Sequence, residues 1–373
     1  MKIAILANLK KNAPTWEGMT PDQWDDLDSL KTIEAISRAL EAGGHEVAFM
    51  EASIHPPFNL VERLADYQPD LCFNIAESHF GDGREAQIPA LLEMLRIPYT
   101  GSRVLTLALT LDKPMTKRVL AYHGLPTPEF QVFEAADATL DADLIDEQGE
   151  LRFPMFVKPS REGTGMGVSA ESIVSSVADL RAQVGKQLER YNQPILVERY
   201  IKGREVTVGM VGNLHPIAAR RLDENTAPAV LPEGLTFFPV LEVNLAAYPE
   251  SEAGLYTNKM KVEMAEDFRY VCPAHLEPEQ VEALNKLAAA VFRVTGSYDV
   301  ARVDFRLAED EGLEPYILEI NPLPGLNPTY SDLCIEAKAA GWSYERLINT
   351  IVELALERSV IRPELTLDLH GNV

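Results

Sequence analysis

Cysteine is scarce in this chain: Cys72, Cys272 and Cys334 are far apart and odd in number. None forms a CxxC pair, which argues against a disulfide framework or a zinc site. No apolar run approaches the ~18 residues a membrane span needs. Basic charge is also short, with Lys+Arg 34 against Asp+Glu 57 and a formal net charge of −23. A surface that acidic repels phosphodiester backbones and anionic lipid, so neither nucleic acid nor a membrane is an expected partner. A small anion such as a nucleotide can still be held by a local cluster of Lys and Arg. Several catalytic signatures are missing too. The seven histidines show no HExxH spacing, and no G-x-S-x-G elbow occurs. The first strand runs into Ala7-Asn-Leu-Lys-Lys rather than G-x-G-x-x-G, which leaves hydrolase and dinucleotide-dehydrogenase readings without support. The opening MKIAILANLKK is too short for a signal peptide and fits a buried strand, so a cytoplasmic location is expected.

What is present is ordinary globular composition over 373 residues, 46% hydrophobic and 24% charged, enough for one large or two to three small domains. The first hundred residues alternate strand and helix. Strands are expected at Lys2–Leu9, His45–Phe49 and Leu71–Ile75, with helices at Asp28–Glu41, Leu60–Asp66 and Arg84–Leu95. This order implies a parallel sheet covered by helices. A second unit follows: a helix over Asp112–His123, a polar loop over Ala135–Glu150, a strand over Phe153–Lys158, a helix over Ser175–Tyr191 and a strand over Pro194–Glu198. The remainder holds strands near Glu205–Val211, Tyr298–Leu307 and Tyr316–Ile320, and helices near Pro278–Thr295 and Tyr344–Arg358. The fold class is thus α/β and α+β in three lobes, bounded at about 1–108, 109–197 and 198–373.

The chemistry concentrates in two segments, Ala301-Arg-Val-Asp-Phe305 and Leu318-Glu-Ile-Asn-Pro322. Side chains alternate along a strand, so Arg302 shares a face with Asp304, and Glu319 with Asn321. Antiparallel pairing would bring all four together, with two carboxylates and an amide oxygen suited to Mg²⁺. Spacing alone fits a solvated polar hairpin equally well. Ser160-Arg-Glu-Gly-Thr-Gly-Met-Gly167 follows the strand that ends at Lys158, as a phosphate-cradling loop would, or simply as a flexible turn. Asp112-Lys113 at a helix start could offer a second lysine to the same anion. Pro194–Ile201 followed by Glu205 could frame an adenine and a ribose, or be just another strand.

Taken in order, these pieces resemble the D-alanine–D-alanine ligase family of the ATP-grasp superfamily. The matching run includes Leu95-Arg-Ile-Pro-Tyr-Thr-Gly-Ser102, Asp112-Lys113 with Lys117, Phe153–Gly163, Leu196–Val208, Cys272-Pro-Ala274, Ala301-Arg-Val-Asp304 and Leu318–Pro322 with Pro324-Gly325. The resemblance implies an ATP-grasp architecture with an N-terminal parallel-sheet domain. It implies ATP and two Mg²⁺ as cofactors, and small carboxylate and amine substrates joined through an acyl phosphate. Lys113 and Lys158 would hold phosphates, with the loop of Glu162, Gly163, Thr164 and Gly165 closing over the γ-phosphate. Glu198, Tyr200 and Ile201 would frame the adenine, Glu205 the ribose, and Lys261 would be a further ATP contact. Asp304, Glu319 and Asn321 would bind the metals, while Arg302 and the Gly325 backbone N–H would meet the oxyanion. A homodimer is suggested by analogy alone.

The departures fall where substrates are read. Family members carry a glycine-rich segment after strand one, with a glutamate that grips an ammonium; here that place holds Asn8-Leu-Lys-Lys-Asn-Ala-Pro-Thr-Trp-Glu17. Val262 stands where a tyrosine is expected, and Pro322–Tyr330 replaces a Ser/Thr-rich segment. Lys10, Lys11 or Arg84 could instead meet a substrate carboxylate, or equally be a solvated surface charge. The expectation is a ligase with altered substrate reading. The alternatives are a genuine D-alanine–D-alanine ligase, or a nucleotide-binding module without turnover.

Overall fold

The computed structural model describes residues 1–20, 22–214, 231–244 and 270–360. Its first lobe is built on a strand buried along all but its first residue. β1 (Lys2–Ala7) has Ile3 to Ala7 at 0% exposure, which suits a central parallel strand covered on both faces. It lies between β2 (Glu46–Glu51) and β3 (Leu71–Asn74), parallel to both. Ile3 and Ile5 face one apolar core, and Ala4 and Leu6 the other.

The first of these cores is completed by α1 (Leu30–Ala42) and by the last described helix, α9 (Tyr344–Val360). The Ser29 side chain accepts from Thr32 N–H at 3.4 Å to start α1. Ile33, Ile36 and Leu40 then fall on its buried face. The second core is covered by α2 (Leu60–Tyr67) and α3 (Gln87–Leu95). The expected Arg84–Leu95 helix opens as a 3₁₀ turn over Arg84–Ala86.

Two further helices, α4 (Val104–Leu111) and α5 (Lys113–Tyr122), lead into the second lobe. Asp112 caps α5, accepting from Met115 N–H at 2.9 Å. The lobe is a four-stranded antiparallel sheet, ordered β4 (Phe130–Phe133), β7 (Ile195–Arg199), β5 (Met155–Pro159) and β6 (Ile173–Val174). Helix α6 (Val177–Tyr191) packs Leu180 and Val184 into its core.

The third lobe is a larger antiparallel sheet. β11 (Tyr270–Val271), β10 (Leu241–Val243), β8 (Gly203–Gly212), β12 (Asp299–Ala308) and β13 (Glu314–Asn321) lie in that order, and β9 (Leu235–Phe237) adds to β8. Helices α7 (Pro278–Thr295) and α8 (Asp332–Ala339) cover it from elements either side of β12 and β13. A buried charge joint ties α9 to this sheet and to the first lobe. Arg358 donates to both oxygens of Asp299, at 3.0 and 3.0 Å, and to the carbonyls of Tyr99 at 2.6 Å and Gly101 at 2.8 Å.

No described helix is long and apolar enough to cross a membrane.

Candidate active site

β12 and β13 pair antiparallel with Arg302 opposite Asn321 and Asp304 opposite Glu319, so the four polar groups converge as their alternation implies. The register shifts between Asp304 and Phe305, an irregularity of the kind that re-aims a side chain at the end of a ladder. Arg302 donates from Nε and Nη2 to the two oxygens of Asp304, each at 2.8 Å. Asn321 Nδ2 lies 3.0 Å from Asp304 Oδ2 and 3.4 Å from Glu319 Oε1. Thr207 Oγ1 donates to Asp304 Oδ1 at 2.6 Å. Among the described residues no cluster of three or more His, Cys, Asp and Glu side chains is shaped to hold a metal. The set here is two carboxylates and an amide whose Nδ2 faces both of them; carboxylate and amide oxygens are hard donors, and that chemistry fits Mg²⁺.

Two cavities meet over this hairpin. The smaller, about 130 Å³, lies between β5, β7 and the third-lobe sheet. Its lining combines apolar side chains (Phe156, Val168, Tyr200, Ile201, Val206, Val243 and Leu318) with Lys113, Lys158, Arg302 and the loop from Glu162 to Met166. Apolar side chains and fixed positive charge in one cavity suit a flat heterocycle carrying phosphates. The larger cavity, about 340 Å³, is walled by Asp25, Asp26, Asp28, Glu77, Glu85, Gly325, Asn327 and Tyr330. Lys113, Glu162, Gly163, Thr164, Arg302, Glu319 and Asp332 border both.

The sequence candidates therefore assemble. Lys113, Lys158, Glu162, Gly163, Thr164, Gly165, Glu198, Tyr200, Ile201, Glu205, Arg302, Asp304 and Glu319 line the smaller cavity, and Asn321 and Gly325 the larger. Lys261 and Val262 lie outside the described residues. Thr164 and Gly165 both hold positive φ, 54° and 73°, where the loop turns. Gly167 does too, at 75°, and a Cβ there would sit 2.7 Å from Pro159 Cγ.

Some side chains do more than their motif suggests. The Glu198 carboxylate sits between two lysines, 2.6 Å from Lys158 Nζ and 2.9 Å from Lys117 Nζ. Burial opposes its charge, but the two ammonium groups win and hold it down to about 2. Glu198 thus places Lys158 at the cavity wall. Lys113 donates to the Glu162 carbonyl at 2.5 Å and lies 3.4 Å from Glu319, bridging the loop to the hairpin. Glu205 pairs with Arg306 at 2.8 Å.

With the geometry in hand, comparison with known proteins is decisive. The family model described as "D-ala D-ala ligase C-terminus" matches residues 119–353. A D-alanine–D-alanine ligase of Pelotomaculum thermopropionicum is 33% identical over 337 residues, covering 90% of this chain and 94% of that one. The chain belongs to the D-alanine–D-alanine ligase family. An uncharacterized protein of Sinorhizobium fredii is similar to the same degree, 33% identical over 333 residues and 88% of each chain. The D-alanine–D-alanine ligase of Bacillus anthracis, solved in complex with ATP, shares the fold at a TM-score of 0.68 and 22% identity, over 97% of this chain and 99% of that one. The three-lobed ATP-grasp architecture expected from the motifs is the one observed.

At the larger cavity one expectation needs correcting. Lys10 and Arg84 are not poised to meet a substrate carboxylate. Lys10 is paired with Asp25. Arg84 is ringed by Asp26 at 2.5 Å, Glu85 at 3.7 Å, Glu77 at 3.8 Å and Glu162 at 4.0 Å. One guanidinium facing four carboxylates has no charge to spare for a fifth. Sequence reasoning missed Asp26, Asp28, Glu77, Glu85 and Asp332. The Asp25-Asp-Leu-Asp28 run was a visible signal; the others come together only in the fold.

Proposed function

We propose that this family member is an ATP-dependent carboxylate–amine ligase working through an acyl phosphate, on substrates of which at least one carries an ammonium group. The observation that carries this reading is the junction of the two cavities over Arg302, Lys113 and the 162–164 loop. One chamber suits a nucleotide, the other is acidic, and the cationic groups lie between them. A pure nucleotide binder has no use for the second chamber.

A carboxylate is a poor electrophile. Attack by its oxygen on the γ-phosphorus forms an O–P bond as the bond to ADP breaks, giving an acyl phosphate with a good leaving group. Lys113 and Lys158, fixed by Glu319 and Glu198, would hold phosphate oxygens in line and offset their charge. Mg²⁺ on Asp304, Glu319 and Asn321 would neutralise further phosphate charge. An amine then attacks the acyl carbon and phosphate departs, the amine's proton passing to solvent or a nearby carboxylate. Arg302 and the Gly325 N–H would face the oxyanion. The 162–167 loop would exclude water from the acyl phosphate.

The acidic wall supports an amine-bearing substrate because Asp26, Glu77 and Glu85 share the single Arg84 cation, and an excess of buried carboxylates over cations is costly. Burial and the neighbouring Asp26 push Asp28 up to about 7, so a bound ammonium would be the natural counter-charge there. The names of the relatives favour D-alanine for both substrates, and it belongs in the test. ADP release is measured with ATP and Mg²⁺ over a matrix of D- and L-amino acids, diamines and small carboxylates. The reading predicts release that requires both a carboxylate and an amine. Release that is the same with no added substrate, or none in any combination, would contradict it.

A further inference from the structure

Arg302 is occupied. Its Nε and Nη2 donate to Asp304 at 2.8 Å each, and its Nη1 lies 3.1 Å from Asp332 Oδ2. Asp332 is the first residue of α8, so its partner comes from outside the β12–β13 hairpin. The Arg302 and Asp332 side chains are only 14% and 9% exposed. Both border the two cavities at their junction.

Asp304 is in demand from several sides. It already accepts from Thr207 and Asn321 besides Arg302. A divalent cation on Asp304 would take the lone pairs now given to the guanidinium and repel its charge. Arg302 would then have to leave Asp304, and a buried guanidinium without a partner is strongly destabilising. Asp332 is the carboxylate that can still hold it. The ion pairs of Arg302 are with Asp304 and Asp332; Glu336, one turn further along α8, is fully buried, and burial pushes its carboxyl well above the usual range.

We propose that Asp332 is a positioning residue: it keeps Arg302 at the junction of the two cavities when a metal claims Asp304, and so makes metal binding and oxyanion stabilisation compatible. This rests on the ligase reading above. It also means that Arg302 is spent on Asp332 and the oxyanion, with little left for a substrate carboxylate.

The test reads metal affinity rather than turnover. Mn²⁺ is titrated by electron paramagnetic resonance in the presence of a non-hydrolysable ATP analogue, with the wild type, Asp332→Ala, Arg302→Ala and the double variant. Without Asp332, metal binding strands Arg302, so affinity is expected to fall at least fivefold. With Arg302 also removed there is nothing to strand, and the double variant returns to within about twofold of wild type, the non-additivity expected of residues in contact. Asp332→Asn, which keeps an acceptor but loses the charge, falls between and carries the test if the alanine variant does not fold. Unchanged Mn²⁺ affinity in a folded Asp332 variant overturns the proposal, as does a double variant as weak as the single. No Mn²⁺ uptake by the wild type with nucleotide would overturn the ligase reading and this proposal together, which separates the two failures.

Discussion

Replacing Glu198 with Gln removes one negative charge from between two buried ammonium groups. The carboxylate is 4% exposed, Lys117 1% and Lys158 10%, so water cannot take its place. Holding a carboxyl at about 2 instead of its ordinary 4.5 corresponds to about 3 kcal/mol, at about 1.4 kcal/mol per tenfold in proton affinity. That agrees with the roughly 3–5 kcal/mol typical for breaking a buried pair by removing one partner. The sign with pH follows from the lowered value. The folded carboxyl binds protons more weakly than the unfolded one, so its contribution is complete above about pH 4.5 and is lost as pH falls toward 2. Urea unfolding of the wild type and Glu198→Gln at pH 7 and pH 3 measures both. The expected deficit is about 3 kcal/mol at pH 7, at least halved at pH 3. ATP affinity should fall as well, because Lys158 loses the group that fixes it at the cavity wall. A deficit below about 0.5 kcal/mol, within the range of ordinary surface substitutions, or one that does not change with pH, would refute the reasoning.

Three further outcomes follow from named contacts. Gly167→Ala forces a Cβ to within 2.7 Å of Pro159 Cγ and 3.0 Å of a Tyr191 ring carbon at φ +75°, so the loop must shift; steady-state kinetics should show a KM for ATP raised several-fold, with little loss of melting temperature. Arg358→Met strands Asp299 at 0% exposure and should cost about 3–5 kcal/mol in chemical denaturation, while adding Asp299→Asn recovers part of it. Asp28 is raised to about 7 by burial and by Asp26, so the folded state holds its proton more tightly and wild-type stability should decline as pH rises from about 4 to 7. Thermal melts across that range should show the decline in the wild type and a flatter profile for Asp28→Asn.

The hairpin at the heart of the site was legible because its period is two. Arg302, Asp304, Glu319 and Asn321 alternate with Val303, Phe305, Ile320 and other apolar residues, and pairing then leaves one arrangement. The long helices were legible for the same kind of reason, with Pro278–Thr295 matching its expected bounds. Helix α4 was not anticipated: Val-Leu-Thr-Leu-Ala-Leu-Thr-Leu is apolar nearly throughout and carries no 3.6-residue period. Strands β6, β9, β10 and β11 are two or three residues long and exist only through their partners. The ring around Arg84 draws on positions 26, 77, 85 and 162, and the Arg302–Asp332 pair spans two elements. Glu85 adjoins Arg84, but Asp26 and Glu162, like Asp332 for Arg302, lie far off in the chain and give no local signal; tertiary packing alone brings them into contact. Glu198 shows the reverse case, where the motif was visible but its partnership with Lys117 and Lys158 was not.

The central claim is that a substrate carboxylate attacks the γ-phosphate at the junction of the two cavities. The most direct measurement uses the substrate pair that supports ADP release, with the donor's carboxylate labelled by ¹⁸O on both oxygens. Mass spectrometry of the released phosphate should find one ¹⁸O in each phosphate, carried over when the acyl phosphate breaks down. Unlabelled phosphate accompanying amide formation would contradict the account.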